Sequence, residues 1–353
     1  MTSGMSQLDL FGRPVPAASE GAGTGPRAAR QAGGLGPAVV SPALVELGQS
    51  LPAALYLGTS SWSFPGWAGL VYDRSADPSR LSREGLVAYA RHPVLRTVGI
   101  DRTFYSPLPA AAFARHAAQV PDHFRFLVKA PSACTSAVVR SEGALPVAND
   151  QFLDERVAID QFVRPALEGL GPKAGPLVFQ FSPLGRAWTR VPQRFVDALD
   201  GFLGAVRAEE PDALLAVEVR DPEVLEPAFF AALAGHRVRY CIGVHARMPS
   251  VQAQAQRARL AGPGPLVVRW NLHSGFGYDE AKARYEPFDR LVDEDPVARA
   301  ALAALACDTL GAGDAVYVIA NNKAEGSAPL TLTRLAEAVR GRIHAGAAAG
   351  PVG

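Results

Sequence analysis

The chain holds 353 residues, 48% of them apolar, and carries a formal net charge of +1. So small a charge leaves no global pull toward nucleic acid or anionic membrane, and either partner would need a local patch. Three widely spaced cysteines, Cys134, Cys241 and Cys307, argue against a disulfide framework or a zinc motif and for a reducing compartment.

Residues 12–42 are rich in Gly, Ala and Pro without an apolar period, so they bury too little surface to offset their ordering entropy. Residues 1–50 are therefore expected to form a flexible tail, with folding beginning near Leu51. The N-terminus lacks the charged-then-apolar order of a secretory signal. No apolar run approaches the roughly eighteen residues a bilayer span needs, and the expected location is the cytoplasm.

Eight short apolar runs follow: 55–61 (LYLGTSS), 97–104 (TVGIDRTF), 125–131 (RFLVKAP), 176–183 (PLVFQFSP), 214–221 (LLAVEVRD), 240–247 (YCIGVHAR), 266–273 (LVVRWNLH) and 315–322 (AVYVIANN). Most precede a stretch of helical period. Strand then helix, eight times over, predicts an α/β fold, a (β/α)8 TIM-type barrel spanning residues 51–345. Its parallel strands are covered on both faces and so read as unbroken apolar runs. Residues 346–353 are expected to be a disordered terminus.

Helix starts are legible at Pro192, ahead of a stripe of Phe195, Val196, Leu199, Phe202, Leu203 and Val206, and at Asp221-Pro222-Glu223. Asp295-Pro296 opens a helix whose inner face would hold Val297, Ala301, Leu302 and Leu305. The last helix starts near Pro329, with Leu332, Leu335, Val339 and Ile343 facing inward. Residues 249–260 are polar and only marginally helical, and 132–165 reads as a lid or an inserted excursion.

Function in such a barrel sits where the strands end. After the first strand, Trp62 and Trp67 either wall a site or plug the opening. After the second, Asp101 is a candidate base, metal ligand or ion-pair partner, with Tyr105 beside it. Lys129 ends the third strand and Gln180 lies inside the fourth. On the fifth, Glu218 and Arg220 are two residues apart and share a face. Such a pair costs on the order of several kcal/mol to desolvate unless partnered, which puts it near the open end. There it is either an ion pair closing the barrel or a carboxylate base beside an anion-binding guanidinium. His245, Arg269 and His273 on the next two strands suit a phosphate or carboxylate; with Asp101 and Glu218 the histidines could instead hold a metal. No HExxH or CxxC spacing is present, so no metal or other cofactor is assigned. Asn321 and Asn322 end the eighth strand, before a turn containing Gly326 and a helix N-terminus, a common phosphate position in barrels. Lysine is scarce, four against 31 arginines, yet Lys129 and Lys323 both stand at strand ends.

These stretches resemble the YecE-like family, domain-of-unknown-function family 72. Residues 58–69 (GTSSWSFPGWAG) are similar to its opening motif, Thr103-Phe104-Tyr105 to its second, residues 124–129 (FRFLVK) to its third, and Glu218-x-Arg220 and Asn321-Asn322 to its later strands. The resemblance covers most of residues 55–340 and implies a barrel fold without a reaction, since the family has no settled one. The chain departs from the family pattern at Gly99, where a glutamate is usual, and at Thr135-Ser136, where Thr-His is usual. Arg269 to Gly275 is a looser counterpart of an Arg-x-His-Gly segment.

Near the N-terminus, Gln7, Leu8, Asp9, Leu10 and Phe11 resemble the peptide by which bacterial proteins dock on the DNA-polymerase sliding clamp. Leu10 and Phe11 would be its apolar anchors, Leu8 would add contact area and Gln7 would orient it. The same stretch could pack on its own barrel instead.

Two functions compete. One is a rim-site enzyme, a hydrolase, phosphoesterase or isomerase type, acting on an anionic or phosphorylated small molecule or a nucleic-acid phosphate. Its catalytic set would be Glu218, Arg220, Lys129 and Asp101. Trp62, Trp67, Tyr105, Gln180, His245, Arg269, His273, Asn321 and Asn322 would contact substrate. The other is a non-catalytic clamp-associated adaptor or DNA-repair accessory.

Overall fold

Each apolar run supplies one strand: β1 (Leu55–Thr59), β2 (Leu95–Ile100), β3 (Arg125–Lys129), β4 (Ala174–Gln180), β5 (Leu215–Glu218), β6 (Arg239–Val244), β7 (Leu266–Trp270) and β8 (Val316–Ala320). They pair in parallel in chain order, and β8 closes on β1 in the register Leu55↔Val316 to Thr59↔Ala320. The computed structural model describes residues 34–139, 147–273 and 275–349, and these form a TIM-type (β/α)8 barrel.

Alternation along each strand divides its side chains between two cores. Phe126, Val128, Leu177, Phe179, Leu215 and Val217 join the large core shared with the surrounding helices. The alternate positions Leu127, Val178, Ala216, Cys241, Val267 and Ile319 form a separate buried layer inside the barrel. At the strand starts the rings of Tyr56 and Tyr317 stack at 4.7 Å, with the Arg125 guanidinium over Tyr56. Closure is tight at Gly58, where a Cβ would lie 1.9 Å from the Thr97 carbonyl oxygen.

Helix Pro192–Glu209 buries all six residues of its expected stripe. Two other expectations need correction. Val297 is exposed, because helix Pro296–Gly311 turns Ala298, Ala301, Leu302, Ala303 and Ala306 inward. Ile343 is exposed as well, since the last helix, Ala328–Ala349, has no buried residue from Gly341 to Gly346. Asp221 stands at the N-cap position of a short 3-10 helix, Pro222–Val224, with Pro222 and Glu223 in its first turn as expected. Its carboxylate accepts the Leu184 N–H at 2.8 Å instead of capping, and the α-helix starts later, at Pro227.

Order also begins before the expected boundary. Helix Pro42–Ser50 starts on Ser41, whose hydroxyl accepts the Leu44 N–H at 3.3 Å, with proline in the first turn and Leu47 buried. At the other end the last helix runs into the stretch expected to be disordered. Gln7 to Phe11 lie outside the described residues.

The polar stretch at 249–260 does contain a helix, Val251–Ala258, because Gln254 is buried yet fully bonded. Its amide donates to the Gly243 and Pro249 carbonyls and accepts from the Tyr240 hydroxyl and the Gly243 N–H. The excursion after β3 includes a two-residue pairing, Val138–Val139 with Val147–Ala148, before a helical run from Glu155 to Leu170. No described helix is long and apolar enough to cross a membrane.

Candidate functional site

Two residues beyond each member of the inner layer, the chain again faces the barrel interior. Those positions are Lys129, Gln180, Glu218, Gly243, Arg269 and Asn321. A ring of mostly polar side chains therefore rests directly on an apolar floor.

Its hub is Glu218, which is fully buried. Oε2 accepts from Arg269 Nη1 at 3.0 Å, and Oε1 accepts from Asn271 Nδ2 at 3.1 Å and pairs with Arg220 Nη2 at 2.7 Å. Arg269, 3% exposed, also reaches Asp101 Oδ2 with Nη2 at 2.5 Å. One guanidinium thus ties β7 to carboxylates on β5 and just beyond β2. Gly243 leaves the space for this arrangement, since a Cβ there would sit 3.3 Å from Glu218 Oε1.

Burial alone would raise the Glu218 carboxyl, but Arg220, Arg269 and Lys129 together hold it below the ordinary carboxylate value. A carboxylate so saturated is a poor base at neutral pH and a good anchor for cations.

Lys129 is the third cation. It keeps partial access to solvent, and its Nζ sits 3.5 Å from the centre of the Phe104 ring. No ion pair to it forms among the described residues; Asp101 and Glu218 both turn to Arg269 instead. Burial, aided by the charge of Arg269, pushes its amine down to about 7 against the opposing pull of Asp101 and Glu218. Asp101 Oδ1, Arg220 Nη1 and Arg269 Nε are buried without a hydrogen-bond partner among the described residues.

The remaining expected site residues divide by placement. Gln180 is in register with Glu218 and donates to the Phe181 carbonyl at 3.1 Å. His245 is half-buried; its Nδ1 accepts the Arg247 N–H, and burial together with the Arg220 charge lowers the imidazole to about 4. Asn321 donates to Ser60 Oγ at 3.0 Å across the β8–β1 seam. These three belong to the mouth. Tyr105 stands at the surface with its ring edge on Phe104.

Trp62, Trp67, Asn322 and His273 support the rim rather than line the cluster. Trp62 is 5% exposed, gives its indole N–H to the Ser82 carbonyl and meets the His116 ring edge-on. Trp67, fully buried, donates to Asn322 Oδ1, which also caps the last helix by accepting the Ala328 N–H at 2.9 Å. His273 packs on Phe276, and its Nδ1 accepts the Gly275 N–H.

Four residues outside the expected set belong to the site: Asn271, Gly243, Phe104 and Ser60. Asn271 was within reach of the same period-two argument that joins Glu218 to Arg220, since it lies two beyond Arg269. The donor set does not fit a metal ion. Both carboxylates are committed to guanidiniums, whose charge would repel a cation, and the described residues contain no cluster of three His, Cys, Asp or Glu able to hold one.

Over residues 56–351 the chain matches the family model described as protein of unknown function DUF72. Among solved structures it is similar to a DUF72 family protein from Enterococcus faecalis, at 19% identity over 81% of this chain and 95% of the other, with a TM-score of 0.52. A DUF72 family protein from Thermotoga maritima is similar at 19% identity over 80% and 98%, with a TM-score of 0.51. At such identities the likeness is one of fold. No curated protein matches the chain.

Proposed function

The chain belongs to the DUF72 family, whose function is unknown, and from its own side chains we propose that the barrel mouth binds and turns over a small anionic substrate, a carboxylate or a phosphate ester. Arg220 carries this reading. One of its terminal nitrogens is anchored on Glu218, while the other is buried without a partner among the described residues, and its charge is felt at Lys129. A buried donor without a partner calls for an explanation, and a ligand anion supplies one. Three cations here face two carboxylates, and Arg269 already occupies both carboxylates.

In this reading Arg220 and Lys129 hold the anion. Glu218 positions the guanidiniums and is not the base. Asp101, whose Oδ1 has no hydrogen-bond partner among the described residues, would accept or return a proton. Either hydrolysis or isomerisation of an anionic substrate is compatible with such a set.

The test is calorimetric titration with inorganic phosphate, pyrophosphate and citrate at low ionic strength. Binding by at least one of them, weakened tenfold or more (about 1.4 kcal/mol) in Arg220→Met, is the expected result. Absence of binding by all three, or equal binding by the variant, overturns the reading.

A separate property is proposed for the tail, docking of Gln7 to Phe11 on the sliding clamp. Its support is the motif alone, with apolar anchors and one polar orienting residue.

A further inference from the structure

We propose that Lys129 is a covalent catalyst, its amine condensing with an aldehyde or keto group of the bound anion to form an imine. This rests on the anion-binding reading above and deepens it by naming the substrate class, a small carbonyl compound carrying a carboxylate or phosphate.

The other lysines show what is distinctive about Lys129. Lys173 donates to the Ala117 and Val120 carbonyls, and Lys282 is exposed beside Glu286. Lys323 lies 4.2 Å from the centre of the Tyr278 ring, near Phe288, outside the carboxylate–guanidinium cluster. Lys323 is buried on those rings with its amine lowered to about 8, but Lys129 is the lysine that points into the barrel, onto the apolar layer and the Phe104 face, within a cluster whose carboxylates both bind Arg269.

The charged groups acting on Lys129 are Arg269, Asp101, Glu218 and Arg220. With burial lowering the amine to about 7, a substantial share of molecules presents a free lone pair at neutral pH. An ordinary lysine is neutral in roughly one molecule in three thousand at that pH. Desolvation beside cationic groups is a general way to make a lysine nucleophilic.

The chemistry balances without an oxidant or reductant. The amine lone pair forms the N–C bond and the carbonyl π electrons pass to oxygen, which takes a proton, giving a carbinolamine. Nitrogen gives up one proton in reaching the neutral carbinolamine and its second in forming C=N, as the hydroxyl leaves with a proton as water. Asp101 Oδ1 is the available carrier for those protons, and Arg220 Nη1 would hold the anionic end of the substrate. Addition of water reverses the sequence and releases product.

Glyoxylate, the smallest aldehyde with a carboxylate, is the probe. The full chain is incubated with it and cyanoborohydride across pH 6–9, and the reduced adduct is located by peptide mass mapping. Lys129 is expected to be modified on the order of a hundredfold faster than Lys282, with the rate half-maximal near the amine's own titration. Lys129→Arg should remove the adduct. Acetaldehyde, lacking the anion, should react with Lys129 at least tenfold less selectively than glyoxylate does, as should glyoxylate with Arg220→Met.

Modification spread over Lys282, Lys323 and the N-terminus, with Lys129 unmodified, overturns the inference. Mapping of the unaltered chain decides this even if a variant fails to fold. If phosphate still binds through Arg220 while Lys129 stays unmodified, the inference falls and the anion reading stands. If Lys129 reacts equally with acetaldehyde and is indifferent to Arg220→Met, the imine stands and the anion reading falls.

Discussion

Glu218→Gln tests the hub most directly. Glutamine keeps the volume but has one accepting oxygen, so either Arg269 or the Arg220–Asn271 side must face an amide N–H2. Removing one partner of a buried ion pair costs about 3–5 kcal/mol. The loss should fall at the low end because Asp101 still holds Arg269 and the Arg220 side chain retains 11% exposure. We expect about 3 kcal/mol at pH 7, a fall in Tm of roughly 4–5 °C for a chain of this size. The carboxyl is held below its ordinary value of 4.5 in the fold. Its contribution is therefore complete above that ordinary value and lost as pH falls through the depressed one. The gap between the two proteins, followed by urea unfolding, should close toward acid, where a protonated Glu218 resembles glutamine. A loss below about 1 kcal/mol at pH 7, or a gap that persists in acid, refutes the hub.

Gly243→Ala places a Cβ 3.3 Å from Glu218 Oε1, which Arg220 and Asn271 keep from retreating; a loss of about 1–2 kcal/mol in urea unfolding is expected. Lys129→Met should stabilise the protein most at low pH. The folded amine titrates near 7 instead of 10.5, so the folded state binds fewer protons between those values and the unaltered chain gains stability as pH rises through that window. Urea unfolding at pH 6 should show a gain on the order of 1–3 kcal/mol, shrinking by pH 10; an equal difference at both contradicts the reasoning. Deleting residues 7–11 should abolish capture by purified sliding clamp and leave the Tm of the barrel unchanged, and undiminished capture removes the docking proposal.

The barrel was legible because strands covered on both faces leave unbroken apolar runs, and all eight runs carry strands. Period two in the sequence puts Glu218 and Arg220 on one face. The ion pair between Arg269 and Asp101 crosses 168 residues, and nothing local encodes which strand end meets which. The tryptophans illustrate a second limit. Loops have no period, so the sequence leaves open whether Trp62 and Trp67 face a ligand or the wall; Trp67 is buried and gives its indole N–H to Asn322. Gln254 shows a third, since a buried amide with four hydrogen bonds is indistinguishable by hydropathy from an exposed one. At residues 41–42 the local signal was present, a serine cap followed by proline, but the composition around it pointed the other way.

The apolar layer under the polar ring, with the stacked tyrosines beneath it, makes the barrel a blind cup. Whatever enters must depart by the same doorway, so a departing molecule and an arriving one contend for Arg220 and Lys129. Under the proposed anion reading, turnover should accordingly be slowed by accumulating acidic product, in direct competition with fresh substrate.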